Sequence, residues 1–254
     1  MPRKFSGPLQ PGRRTAMVPR RAPRKSRKPL TVPTVKTLIK SQALKLTETK
    51  RVPYLQEDTQ LEHNTTLYLP SFLDTSQGLR NPGANAPPNP GEIRVGNSIV
   101  ARGMGLKLFI QNNFEHPNLT YKLIIFKYPT IVSSVLSDSR LWQGGDGNGS
   151  IMNRMIDTIA TNRVKIVYST IIRPGLPTNN VFPDGVVGGA VKTTLFEKYI
   201  NLRNLKLNYN EDGGKSPMFT NLGLAMVPYD HYSTAQGTPV ARLSYNIKMY
   251  FKDP

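Results

Sequence analysis

From residue 44 to its last residues the chain is a succession of strand-forming runs. Gly, Pro, Asn or Asp stands at nearly every boundary. The clearest run is "LTYKLIIFKYP" (119–129), which reads as a buried strand. The others are 44–55, 62–70, 163–173, 221–230 and 241–253, two pieces around Gly96, Gly103 and Gly105 within 93–112, and 194–210 as one long strand or a bent pair. Pro53 marks the first run as an edge strand or as ending there, because proline cannot donate to a ladder. Only one helix is predicted among these runs, near Ser150–Ala160. With no helices between successive strands, a parallel doubly wound sheet is excluded. The pattern is all-β: an antiparallel sandwich of about eight strands, of single jelly-roll size.

The connections are long. Residues 74–92, 141–150 and 173–189 are rich in Gly, Pro and Asn. Loops of this length in a compact domain are usually contact-making, and at the ends of a sandwich they are natural material for subunit contacts. Residues 34–46, "TVKTLIKSQALKL", lack Gly and Pro. Val35, Leu38, Ile39, Gln42 and Leu46 fall near one helical face, so a short helix over about Thr34–Gln42 competes with a strand beginning near Ala43.

The other half of the argument is charge. The formal net charge is +18 and the pI is about 10.2. Residues 1–28 hold Arg3, Lys4, Arg13, Arg14, Arg20, Arg21, Arg24, Lys25, Arg27 and Lys28 and no acid, which leaves +8 for the remainder. Pro2, Pro8, Pro11, Pro19 and Pro23 interrupt the same segment. Each removes a backbone donor and disfavours helix before it, and like charges repel along the chain. Neither burial nor hydrogen bonding offsets the ordering entropy there. Residues 1–33 are therefore predicted to be a disordered nucleic-acid-binding arm, and 34–254 a folded domain. As a coil the arm spans roughly 30 Å; fully stretched it reaches about 100 Å. Each phosphate it neutralises releases counterions, giving strong, sequence-indifferent, salt-dependent binding. Arg20, Arg21, Arg24, Lys25, Arg27 and Lys28 also fit a nuclear import signal, which implies an import receptor as a partner.

Catalytic chemistry has little support. There are no cysteines, which excludes disulfides, thiolate metal sites and a Cys nucleophile. No phosphate-cradling Gly-Lys-Ser/Thr loop and no Gly-x-Ser-x-Gly elbow is present. His63, His116 and His231 lie far apart in sequence, without metal-binding spacing. Asp138, Asp146 and Asp157 read as loop or cap residues. No cofactor, metal or enzymatic activity is expected. No stretch reaches 18 apolar residues, so no membrane span is expected, and no signal-peptide run opens the chain, so an intracellular product is. Tyrosines and phenylalanines raise the question of base stacking. Tyr121, Phe126, Tyr168 and Phe196 sit inside strands and read as core, and the period alone leaves open which of the others face outward.

Several stretches together resemble the capsid proteins of circovirus-like, Rep-encoding circular single-stranded DNA viruses. They are the arm "RRAPRKSRK" (20–28), "TETK" (47–50), "SQG" (76–78) followed by "RVGNSIVARGMGLKL" (94–108), "NRVKIVYSTII" (162–172) and the terminal "YNIKMYFKD" (245–253). The arm departs from that group in being shorter, with fewer consecutive arginines and no interleaved aromatics. The resemblance implies a single jelly roll that self-assembles with copies of itself into a T=1 shell of sixty copies. It implies a circular single-stranded DNA genome within, bound by the ten cationic residues named above, with the virion and the host nucleus as locations. The inner face of the sandwich, with Lys36 and Lys40, would add neutralising charge. RNA can replace DNA in a heterologous host, since such arms bind either polymer. Two other readings stand beside this one: a small-oligomer basic nucleic-acid-binding protein, and the capsid protein of a small positive-strand RNA virus. A carbohydrate-active sandwich enzyme would need paired carboxylates, whereas the 16 acids are scattered.

Overall fold

In the computed structural model the described residues are 35, 37, 39, 42, 46–77, 93–131, 137–145, 153–174, 180–181, 187–188, 192–210, 214–232 and 234–253. Among the described residues, seven strands of 8 to 16 residues and the three-residue β2 carry the fold. β1 (Lys50–Glu62) pairs with β10 (Pro239–Lys252), and β2 (Leu67–Leu69) with β9 (Thr220–Asp230). β3 (Ser98–Asn112) pairs with β8 (Thr193–Asn208), and β4 (Leu119–Pro129) with β5 (Lys165–Ile172). A two-residue hairpin, β6 (Asn180–Val181) and β7 (Val187–Gly188), stands between β5 and β8. Apart from that hairpin the first strand pairs with the last, the second with the last but one, and so inward. This is one long antiparallel ribbon. Two further antiparallel pairings, β10 with β3 and β9 with β4, roll the ribbon into two sheets, ordered β1-β10-β3-β8 and β2-β9-β4-β5. That connectivity is a jelly roll.

The main core lies between the sheets. In β3, Met104, Leu106, Leu108 and Ile110 point inward and the alternate residues point out, the period of a half-buried strand. They meet Leu123 and Ile125 of β4 and Leu224 and Met226 of β9. A second core lies on the far side of the β2-β9-β4-β5 sheet. There Ile124, Phe126, Tyr128, Ala225 and Val227 are covered by Leu141, Trp142, Ile159 and Val164. The middle strands of this sheet, β4 and β9, are thus buried on both faces, which explains their near-continuous apolar texture.

The covering segment is tied down by polar groups. Trp142 Nε1 donates to Thr66 Oγ1 at 3.0 Å. Arg154 spans Asp157 at 2.6 Å and Asp138 at 2.9 Å, and Tyr68 donates to Asp138 at 2.7 Å. From the outer face of β4, the Lys122 ammonium donates to the carbonyls of Arg154, Met155 and Asp157. Burial lowers the Lys122 pKa, and the Asp157 charge opposes that. These contacts correct the helix predicted near Ser150–Ala160 over its described part, 153–160; residues 150–152 lie outside the described residues. Asn153–Ile156 close a turn, and the carbonyls that a helix would use for its own ladder are taken by Lys122. Four helical residues stand instead at Asp138–Leu141.

Other boundaries also move. Val35, Thr37, Ile39, Gln42 and Leu46 are helical, and the first strand begins at Lys50 rather than near residue 44. Val35, Ile39 and Leu46 are exposed. Glu62 ends β1 and only Leu67–Leu69 of the 62–70 run is strand. The two pieces expected in 93–112 are one 15-residue strand. The run at 194–210 is a single strand, Thr193–Asn208, with a bulge where Arg203 and Asn204 both have φ of 56°. Pro53 lies in β1, which is an edge strand, as expected. Arg94 of "RVGN" turns inward and is fully buried. It stacks 4.2 Å over Tyr209 and donates to the Gly96 and Gly214 carbonyls, so it locks the entry to β3.

Candidate nucleic-acid interface

The ten cationic residues assigned to the arm, Arg3 to Lys28, lie outside the described residues, as do Lys36 and Lys40. What the structure adds is a surface on the folded unit. The outer face of the β1-β10-β3-β8 sheet is half-buried along β10 and exposed at Lys107, Phe109 and Gln111 of β3. Strand register sorts this face into rows. Arg51, Tyr250, Gly103 and Asn201 form one, and Pro53, Lys248, Gly105 and Tyr199 the next. A third holds Leu55, Asn246, Lys107 and Glu197.

Two tyrosines dominate the first two rows, and two glycines make room for them. A Cβ on Gly103 would lie 2.2 Å from the Tyr199 hydroxyl oxygen and 2.7 Å from the Ile200 carbonyl. One on Gly105 would lie 3.3 Å from Tyr250 Cε2. Each ring therefore leans diagonally over the glycine opposite the other. The ring centroids are 6.0 Å apart with planes tilted by 52°. Tyr199 keeps 54% of its surface exposed. Beside them lies a cavity of about 330 Å³, lined among others by Gly105, Lys107, Lys198, Asn246 and Lys248. Lys107 and Glu197 pair across it at 2.8 Å with both side chains exposed, a contact worth little. Among the described residues the side-chain oxygen of Asn246 has no hydrogen-bond partner.

Sequence reasoning did not single out Tyr199 or Tyr250. The signal lay in the strand period. In "SYNIKMYF" (244–251), Tyr250 shares parity with Asn246 and Lys248, opposite to Ile247, Met249 and Phe251. Tyr199 likewise shares parity with Glu197 and Asn201. By contrast Tyr121 and Phe126 are fully buried, and Tyr168 and Phe196 pack against the main core, as expected.

A second cluster sits at one end of the sandwich, where the β1–β2, β3–β4 and β9–β10 connections meet. All three histidines gather there around Asp230. Its carboxylate contacts His116 Nδ1 at 2.6 Å and accepts from Thr234 Oγ1 at 2.5 Å, while its backbone N–H donates to His63 Nδ1 at 2.9 Å. His231 Nε2 lies 2.9 Å from Thr120 Oγ1. Burial lowers the His63 pKa against the opposing charge of Asp230, and accepting from the Asp230 N–H requires a bare Nδ1. Burial would raise Asp230, but the hydrogen bonds from Thr234 and His116 outweigh it and hold the carboxyl below its usual value. Asp138, in the first turn of the short helix, and Asp157, in a loop, both pair with Arg154, and Asp146 lies outside the described residues. Among the described residues no group of three His, Cys, Asp or Glu side chains has the arrangement of a metal site, and no helix is long and apolar enough to cross a membrane.

No protein-family model and no curated protein matches the chain. Among solved structures, the infectious bursal disease virus Gx strain matches with a TM-score of 0.33 and 8% identity, over 80% of this chain and 32% of that one. The infectious bursal disease virus VP2 subviral particle matches with a TM-score of 0.30 and 9% identity, over 80% and 33%. The chain spans about a third of the length of those structures. Overlaps this loose carry no argument about function.

Proposed function

We propose that the chain is a viral coat protein whose jelly-roll body packs against copies of itself in a closed shell and whose cationic segment binds the enclosed nucleic acid. The observation that carries this reading is the division of the chain. Ten positive charges without an acid occupy residues 1–28, ahead of a complete two-sheet jelly roll. A polyanion bound to clustered arms cancels their mutual repulsion, so packaging and assembly are coupled. The finer reading follows the sequence resemblance: a T=1 shell of sixty copies around circular single-stranded DNA, with Arg20 to Lys28 serving nuclear import.

Electron microscopy of the expressed protein tests the shell: uniform closed particles are expected. Neutralising Arg13 to Lys28 by substitution in the full chain is expected to abolish nucleic-acid content, read as the 260/280 nm absorbance ratio of purified material. Unchanged content overturns the role of the arm. A small-oligomer nucleic-acid-binding protein is the second reading, favoured by the cations on the outer sheet face. Sedimentation showing only a dimer or trimer at every concentration selects it.

A further inference from the structure

We propose that the outer face of the β1-β10-β3-β8 sheet, which no described residue covers, is a second nucleic-acid site, which takes a single strand by stacking a base on Tyr199 beside Tyr250, with phosphates on Lys248 and Arg51. This rests on the coat-protein reading and adds to the arm, which grips only charge, a surface that holds bases.

Three observations converge. The first is the tyrosine pair itself. Its rings stand on the solvent side of a sheet whose inner side already has a complete core, so packing between the sheets does not require them. Gly103 and Gly105 leave space for the rings to lie across β3. Their 52° tilt excludes a base sandwiched between parallel rings, so the base stacks on the free face of Tyr199, the geometry of a stacking platform.

The second is charge complementarity. Lys248 and Arg51 flank Tyr250 in the first two rows, and no acid stands in either. Glu197, in the third row, is occupied by Lys107. A second copy docking this face on itself would set cation against cation. The third is the cavity beside the rings, lined by Asn246, whose side-chain oxygen has no partner among the described residues. A turn of that amide presents hydrogen-bonding groups to a base edge. A duplex is a poor occupant, because its base faces are hidden and a flat sheet enters neither groove. This corner is also where the chain enters the sheet, at Lys50, and so is the part of the face nearest in sequence to the cationic segment.

The test uses the full chain and an oligothymidylate carrying 5-iodouracil. Irradiation followed by peptide mass spectrometry is expected to find cross-links at Tyr199 or Tyr250. Cross-links confined to residues 1–34 overturn this site and leave the arm intact. No binding of any oligonucleotide at low salt overturns both readings. In fluorescence anisotropy Tyr199→Ala is expected to weaken single-strand binding roughly fivefold or more, while Tyr199→Phe retains it and duplex binding stays unchanged. Lys248→Gln is expected to lower the slope of log affinity against log salt by about one. If Tyr199→Ala breaks particles while leaving binding untouched, the face is a subunit contact and the proposal fails.

Discussion

The middle strands β4 and β9 of the β2-β9-β4-β5 sheet have protein on both faces, whereas among the described residues the β1-β10-β3-β8 sheet has protein on one. The strands record the difference. β9 is buried at nine of its 11 positions, and β4 at eight of 11. β3 and β10 alternate for much of their length. A sheet covered on both sides must be apolar throughout or bind each polar group individually, as Lys122 is bound by three carbonyls. A sheet covered on one side carries its stability on half its residues. The other half is free to hold tyrosines, lysines and glycines whose arrangement serves a partner. The covered sheet is therefore where substitutions cost stability, and the open face is where they cost binding.

The largest effect expected is at the cover. Trp142→Ala removes a fully buried indole and its bond to Thr66. It is expected to cost about 3–5 kcal/mol in denaturant unfolding, while the protein that remains folded binds nucleic acid as before. A loss of binding at full stability would break the separation of roles. Next is Gly103→Ala. The new methyl meets the Ile200 carbonyl as well as the movable Tyr199 ring, so a cost of about 1–3 kcal/mol is expected, together with displacement of the ring and weaker single-strand binding.

The histidine end gives a smaller, pH-dependent effect. His63 titrates lower in the fold than the ordinary value of 6.5, so the unfolded chain takes up its proton first. Stability is expected to fall as pH drops below about 6.5. Asp230, held below its ordinary 3.8, adds a second loss as pH falls through that range. Thermal melts from pH 8 to 3 read both, and His63→Gln is expected to flatten the upper step only. A melting temperature that rises between pH 7 and 5 would contradict this account. Smallest is Tyr199→Phe, which keeps the ring and loses an exposed hydroxyl. A change within about 0.5 kcal/mol is expected, and a larger one would show that the open face is structural after all.

The strand series was legible because its signal is local. β4, β5, β8, β9 and β10 lie within a few residues of where alternation and turn residues put them. The Ser150–Ala160 helix was misread because the competing partner, Lys122, sits some thirty residues away in sequence, beyond the reach of any periodicity. The buried Arg94 was conspicuous as a motif, but its partners Tyr209 and Gly214 are more than a hundred residues distant. Tyr199 and Tyr250 could have been assigned to the open face by parity, but only once it was known which sheet lacked a cover.

By itself the sequence determined the class of fold, the order of the strands and the separation of charge from core. Each depends on neighbours along the chain: alternation, turn chemistry, and a proline-broken run of like charges. Tertiary structure alone decided which strands lie side by side, which face Leu141, Trp142, Ile159 and Val164 cover, and that three scattered histidines meet at Asp230. Those outcomes depend on contacts between residues far apart in the chain, and closing a jelly roll creates nearly all of them at once.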